Sequence, residues 1–107
     1  TCSQSDWVGT YTGLLNCGGG NDSVSVTITA SGTNAIVVKY EATSGSVTGT
    51  VEYEPLTPTE CKIDYNASQQ GATIDIDATL DGNNLSFRDV TTFGSSTDDC
   101  LITATRD

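Results

Sequence analysis

Apolar and polar residues alternate along most of this 107-residue chain. That period of two marks half-buried strands, whereas no window repeats apolar residues every 3.6 positions as an amphipathic helix would. The alternation predicts eight strands, over 6–16, 23–30, 35–43, 46–54, 61–67, 73–80, 84–91 and 100–106. Between them run short links with turn chemistry: GGGND at 18–22, SGTN at 31–34, SG at 44–45, PLTPTE at 55–60, SQQGA at 68–72, DGNN at 81–84 and GSSTDD at 94–99. Short links favour antiparallel neighbours, and closing such a meander removes the exposed edges that invite aggregation. We therefore expect an all-β chain, a single domain over 1–107, folded as an eight-stranded antiparallel up-and-down β-barrel. A β-sandwich is the alternative.

Parity assigns the inward face, because successive strand side chains point to opposite sides. Val24, Val26 and Ile28 oppose Ser23, Ser25 and Thr27, and Ile36, Val38, Tyr40 and Ala42 oppose Lys39 and Glu41. Val47, Gly49, Val51 and Tyr53 oppose Thr48, Thr50, Glu52 and Glu54, while Ile63 and Tyr65 oppose Lys62, Asp64 and Asn66. Ile74, Ile76, Ala78 and Leu80 share one face, as do Leu85 and Phe87. On the first strand Trp7, Gly9, Tyr11, Gly13 and Leu15 lie together, so the glycines are expected beside large rings, making room for a neighbour or letting the strand bend. The opposite assignment turns Val8, Thr10, Thr12 and Leu14 inward and leaves the aromatics on the surface.

Composition adds compartment and cross-links. Four cysteines, no histidine and no CxxC spacing point to disulfides in an oxidising compartment rather than to a zinc or redox motif. Four cysteines allow three connectivities. If the barrel closes, the first and last strands pair and bring Cys17 beside Cys100, each on the inward face; Cys2 then joins Cys61. Neither a basic-then-apolar leader nor a run of about 20 apolar residues is present. We expect a mature or trimmed product, secreted to the extracellular space, cell surface or periplasm, without membrane insertion. A formal charge of -10 repels phosphate backbones, so no nucleic-acid partner is expected, and a partner with a basic surface is the complement.

Without histidine there is no Ser-His-Asp triad, Cys-His dyad or His metal ligand, and oxidised cysteines supply no thiolate. Glu52 with Glu54, or Asp75 with Asp77, could form a two-carboxylate glycosidase pair. Such neighbours on a solvent face are more often a solubilising fringe, and we expect neither an enzyme nor a cofactor. Asp77-Ala78-Thr79-Leu80-Asp81-Gly82 does not continue into a calcium-binding loop, Asp98 and Asp99 offer only a weak loop site, and no metal is assigned.

Over most of the chain, the segments WVGTYTGLLNC, VSVTITASGTN, GSVTGTVEYE, DGNNLSF and CLITATRD resemble lipocalin-like small β-barrel modules of secreted and cell-surface proteins of certain Gram-negative bacteria. The resemblance implies a barrel and no defined activity. Eight-stranded barrels are either filled by side chains or hold one small ligand. The inward aromatics Trp7, Tyr11, Tyr40, Tyr53, Tyr65 and Phe87 are accordingly the candidate ligand contacts. Our main expectation is a non-catalytic binding module for a small hydrophobic ligand or glycan at the barrel mouth. The alternative is a structural or protein-interaction accessory domain, or an inhibitor, with a filled barrel and an acidic surface.

Overall fold

The alternation of apolar and polar side chains becomes one antiparallel sheet. In a computed structural model, which describes residues 2–42 and 49–107, a short helix α1 (Gln4–Trp7) precedes eight strands. These are β1 (Gly9–Asn16), β2 (Asn21–Ser31), β3 (Ala35–Ala42), β4 (Gly49–Glu52), β5 (Lys62–Gln69), β6 (Ala72–Asp81), β7 (Asn84–Phe93) and β8 (Ser96–Arg106). The sheet order is β4-β3-β2-β1-β8-β7-β6-β5, so the first and last strands are neighbours in its middle. The part of the predicted fourth strand at 46–48, with Val47, lies outside the described residues.

The expected closed barrel is not what forms. The sheet curls through 222° and stops as an open half-barrel, with its edge strands β4 and β5 15 Å apart. The link between those strands accounts for much of this. Beyond β4 the Tyr53 N–H donates to the Val38 carbonyl, yet Leu56, not Pro55, next exchanges hydrogen bonds with Ile36. Glu54 and Pro55 thus hold an extra residue, a bulge at which proline has no N–H to offer a further strand. Lys62 then spends both of its backbone groups on Thr59. Carboxylates on the facing lips, Glu52 and Glu54 against Asp64, add like-charge repulsion to any closure.

The inward parity of the described strands is reproduced in the core except along β4, which is exposed on both faces, and at Tyr65 on the other edge. Val24, Val26, Ile28, Ile36, Val38, Ile63, Ile76, Ala78, Leu80, Leu85, Phe87 and Ile102 are all buried in one cluster with Tyr11 and Leu15. Trp7 joins that cluster, but from α1 rather than from a strand. Its helical turn is set by Asp6, whose carboxylate accepts a 2.7 Å bond from the Ser3 N–H. That bond, helped by the Ser3 hydroxyl, holds the Asp6 carboxyl below its ordinary 3.8.

The two glycines of β1 serve close approaches of different kinds. A Cβ on Gly13 would fall on the Thr103 carbonyl and lie 2.5 Å from the Ala104 Cα, so only glycine lets β1 and β8 come this near. Gly9 has a φ of 154°, and a Cβ there would meet the Arg106 guanidinium at 3.3 Å. Room is made as expected, for the β8 backbone and an arginine rather than for rings.

Both disulfides, Cys17–Cys100 and Cys2–Cys61, form as derived. Asn16 pairs with Leu101 at the end of the β1–β8 ladder, so Cys17–Cys100 is its next rung. Closure was not required for that pairing: β1 and β8 adjoin, and the sheet opens between β4 and β5.

Candidate functional site

The inward aromatics divide into those the chain uses itself and those it leaves on the open side. Trp7 is fully buried, and its indole N–H donates to the Glu60 carbonyl at 3.1 Å. Tyr11, also fully buried, donates its hydroxyl to the Trp7 carbonyl at 2.8 Å and accepts from Arg106 Nη2 at 2.8 Å. The Arg106 guanidinium stands 5.0 Å from the centroid of the Tyr11 ring, donates to the Val8 carbonyl at 2.8 Å and also reaches the Asp6 carbonyl. One arginine at the end of β8 therefore ties down the whole N-terminal turn. Parity extended from Ile102 and Ala104 would have shown that it points inward.

Farther along the interior, Phe87 packs 5.2 Å from the Tyr53 ring, which lies 6.1 Å from Tyr40. The Tyr53 hydroxyl donates to Asp89 Oδ2 at 2.5 Å, and the same carboxylate accepts from Thr91 through its other oxygen. Asp89 is an inward polar residue that sequence reasoning assigned no role. It follows Phe87 by two positions, and that parity was the available signal.

Burial pushes the Tyr53 phenol far above its ordinary 10.0, reinforced by the facing Asp89. Burial also raises Tyr11 and Tyr40. In the unfolded chain these phenols release protons near 10.0, whereas in the folded protein they keep them to higher pH. Stability is then full below about pH 10 and falls as pH rises through the window above it, where the unfolded state binds fewer protons. Urea titrations at rising alkaline pH should show this decline, and Tyr53→Phe should make it shallower. A pH slope identical in the variant would contradict the assignment.

Tyr65 meets a different environment. It is 37% exposed on edge strand β5 and lines a cleft of about 600 Å³ on the open side of the sheet. Tyr53 and Leu56 form one wall; Tyr65, Ile74, Ile76 and Phe93 form the other. Phe93 is 65% exposed and Val51, on the opposite edge, 39%. Of the six predicted contacts, Tyr53 and Tyr65 reach the cleft, Trp7, Tyr11 and Phe87 are spent in the core, and Tyr40 is half-buried against the core beside Tyr53. Phe93 and Ile74 complete the wall. Phe93 escaped prediction because the seventh strand was expected to end at 91.

Of the carboxylates considered for chemistry, Glu52, Glu54, Asp77, Asp98 and Asp99 are exposed and Asp75 is half-buried. Asp75 accepts from the Asn66 amide across β5–β6, and Asp99 forms a fork-on-fork pair with Arg88, at 3.0 Å and 2.6 Å. The arginine's hydrogen bonds hold the Asp99 carboxyl below its ordinary 3.8. Among the described residues no group of three or more His, Cys, Asp or Glu could hold a metal ion.

No family model matches the chain, and no curated protein does so. Among solved structures, a redesigned beta barrel matches with a TM-score of 0.69 at 16% identity, over 100% of this chain and 97% of that one. This supports an eight-stranded antiparallel barrel-like fold and nothing finer.

Proposed function

We propose that the protein is a non-catalytic protein-interaction domain whose acidic exterior meets a basic surface on its partner. The observation that carries this reading is the use of the aromatic interior. Trp7, Tyr11 and Phe87 are buried in the core, the first two donating to backbone carbonyls, while Glu41, Glu52, Asp64, Asp77, Asp81 and Asp99 lie exposed on outward strand positions of a chain with a formal charge of -10. A small hydrophobic ligand or glycan held by the inward aromatics has less support, because the polar atoms of Trp7, Tyr11 and Tyr53 already have partners within the chain. Two disulfides and the resemblance to lipocalin-like modules support a secreted or cell-surface setting, bacterial in origin on the same resemblance.

The test is capture from the native extracellular or envelope fraction at low ionic strength, followed by calorimetry with the purified partner. The reading predicts saturable binding to a basic protein that weakens steeply with added salt. Failure to recover a saturable partner, or affinity indifferent to salt, would sink it.

A further inference from the structure

The backbone of the two open edges is arranged to receive strands. On β5 the Leu80 N–H donates to the Cys61 carbonyl, and Lys62 bonds away from β6, to Thr59. Antiparallel partners alternate strictly in this respect. Ile63, Tyr65 and Ala67 therefore bond to β6, and Asp64, Asn66 and Ser68 direct their N–H and C=O groups into the opening. On the other edge Tyr53 bonds to Val38, so Val51 and Gly49 face β3, and Thr50 and Glu52 aim outward.

The opening has the width and polarity of a defined guest. At ~4.8 Å between strands, a 15 Å gap spans three spacings and holds two further strands. Every ladder in the sheet is antiparallel, so β4 and β5 run in opposite directions. Two strands placed between them complete an antiparallel series when they are the arms of one hairpin. Exposed Val51, Tyr65 and Phe93 supply an apolar floor on the inward side. On the outward side Glu52, Asp64, Asp75 and Asp77 outnumber Lys39 and Lys62. A second copy of this chain would bring the same negative charge to that rim.

We propose that the opening between β4 and β5 binds a β-hairpin of a partner protein, with apolar side chains on its inner face and Lys or Arg on its outer face. This rests on the proposed function and gives it a location. The guest closes the half-barrel by strand addition: main-chain bonds supply affinity, and the alternating side chains supply selection.

The probe is a disulfide-cyclised hairpin peptide alternating Val and Lys, compared with the same peptide carrying Glu for Lys. Calorimetry should show saturable binding of the basic hairpin and binding about tenfold weaker or less for the acidic one. Bound hairpin should slow amide exchange at Thr50, Glu52, Asp64, Asn66 and Ser68. The exposed double variant Glu52→Lys/Asp64→Lys should reverse the peptide preference with an unchanged circular dichroism spectrum.

Protection of other amides would overturn the inference while leaving an acidic docking surface elsewhere intact. No binding of the basic hairpin would overturn the inference alone; with no salt-sensitive partner recovered either, the proposed function falls too. Perturbation of Tyr65 and Phe93 by an uncharged hydrophobic ligand and not by the hairpin would make the opening a small-molecule cleft. A concentration-dependent dimer that protects the same amides would make the guest a second copy. Either result overturns it.

Discussion

Replacing Cys17 and Cys100 together by alanine is expected to lower the unfolding free energy by about 4 kcal/mol. The two residues close a loop of 83 positions, and chain-entropy accounting gives that magnitude for a link of such span. The native ladder is held independently by the β1–β8 pairs from Tyr11–Arg106 to Asn16–Leu101, so the folded sheet should survive the loss. The effect resides in the unfolded state. Urea titration should therefore show a lower midpoint together with a steeper denaturant dependence, since the uncrosslinked chain exposes more surface when it unfolds. A change below about 1 kcal/mol would show that the unfolded chain already keeps these strands together.

Trp7→Ala should cost about 3–5 kcal/mol, the range for emptying a buried tryptophan site. The ring is fully buried against the core, and its N–H holds the Glu60 carbonyl of the β4–β5 link. Its removal would leave a cavity at one end of the half-barrel and delete the hydrogen bond to that carbonyl. For a domain whose whole stability is about 5–15 kcal/mol, the variant would stand close to unfolding. Trp7→Phe keeps most of the volume and loses the bond, so thermal unfolding of the two variants separates packing from hydrogen bonding. Equal, small shifts in both would mean that the indole does not plug the sheet.

Much of this architecture was legible because a strand's period of two is local. Val24, Val26 and Ile28 needed only their polar neighbours to be assigned inward, and all three are buried. Cys17 and Cys100 could be paired because a meander returning on itself brings β1 to β8. Closure was a different matter. It depends on whether two edges far apart in the sheet meet, and the deciding features are a bulge at Glu54-Pro55 and the way Lys62 spends its backbone on Thr59. Neither belongs to any periodicity.

The N-terminal turn was hidden for a related reason. Ser3 and Asp6 form a helix of a single turn, too short to show a 3.6 repeat, and Trp7 at its end fell into phase with the following strand. Polar composition misled at 96–99, where β8 begins earlier than expected: both faces are exposed there, and Arg88–Asp99 together with cross-strand pairing sustains the strand. The candidate site was legible only in part. Tyr53 and Tyr65 were found by parity, but the cleft exists because the sheet stays open, and its wall at Phe93 lies beyond the predicted strand end.

Residue-resolved amide hydrogen exchange along β5 tests the open sheet most directly. An open edge gives an alternating record, slow at Ile63, Tyr65 and Ala67, which bond to β6, and fast at Asp64, Asn66 and Ser68, which face the opening. Uniform protection from Ile63 to Ser68 in the isolated protein would mean that a strand covers that edge and that the barrel is closed.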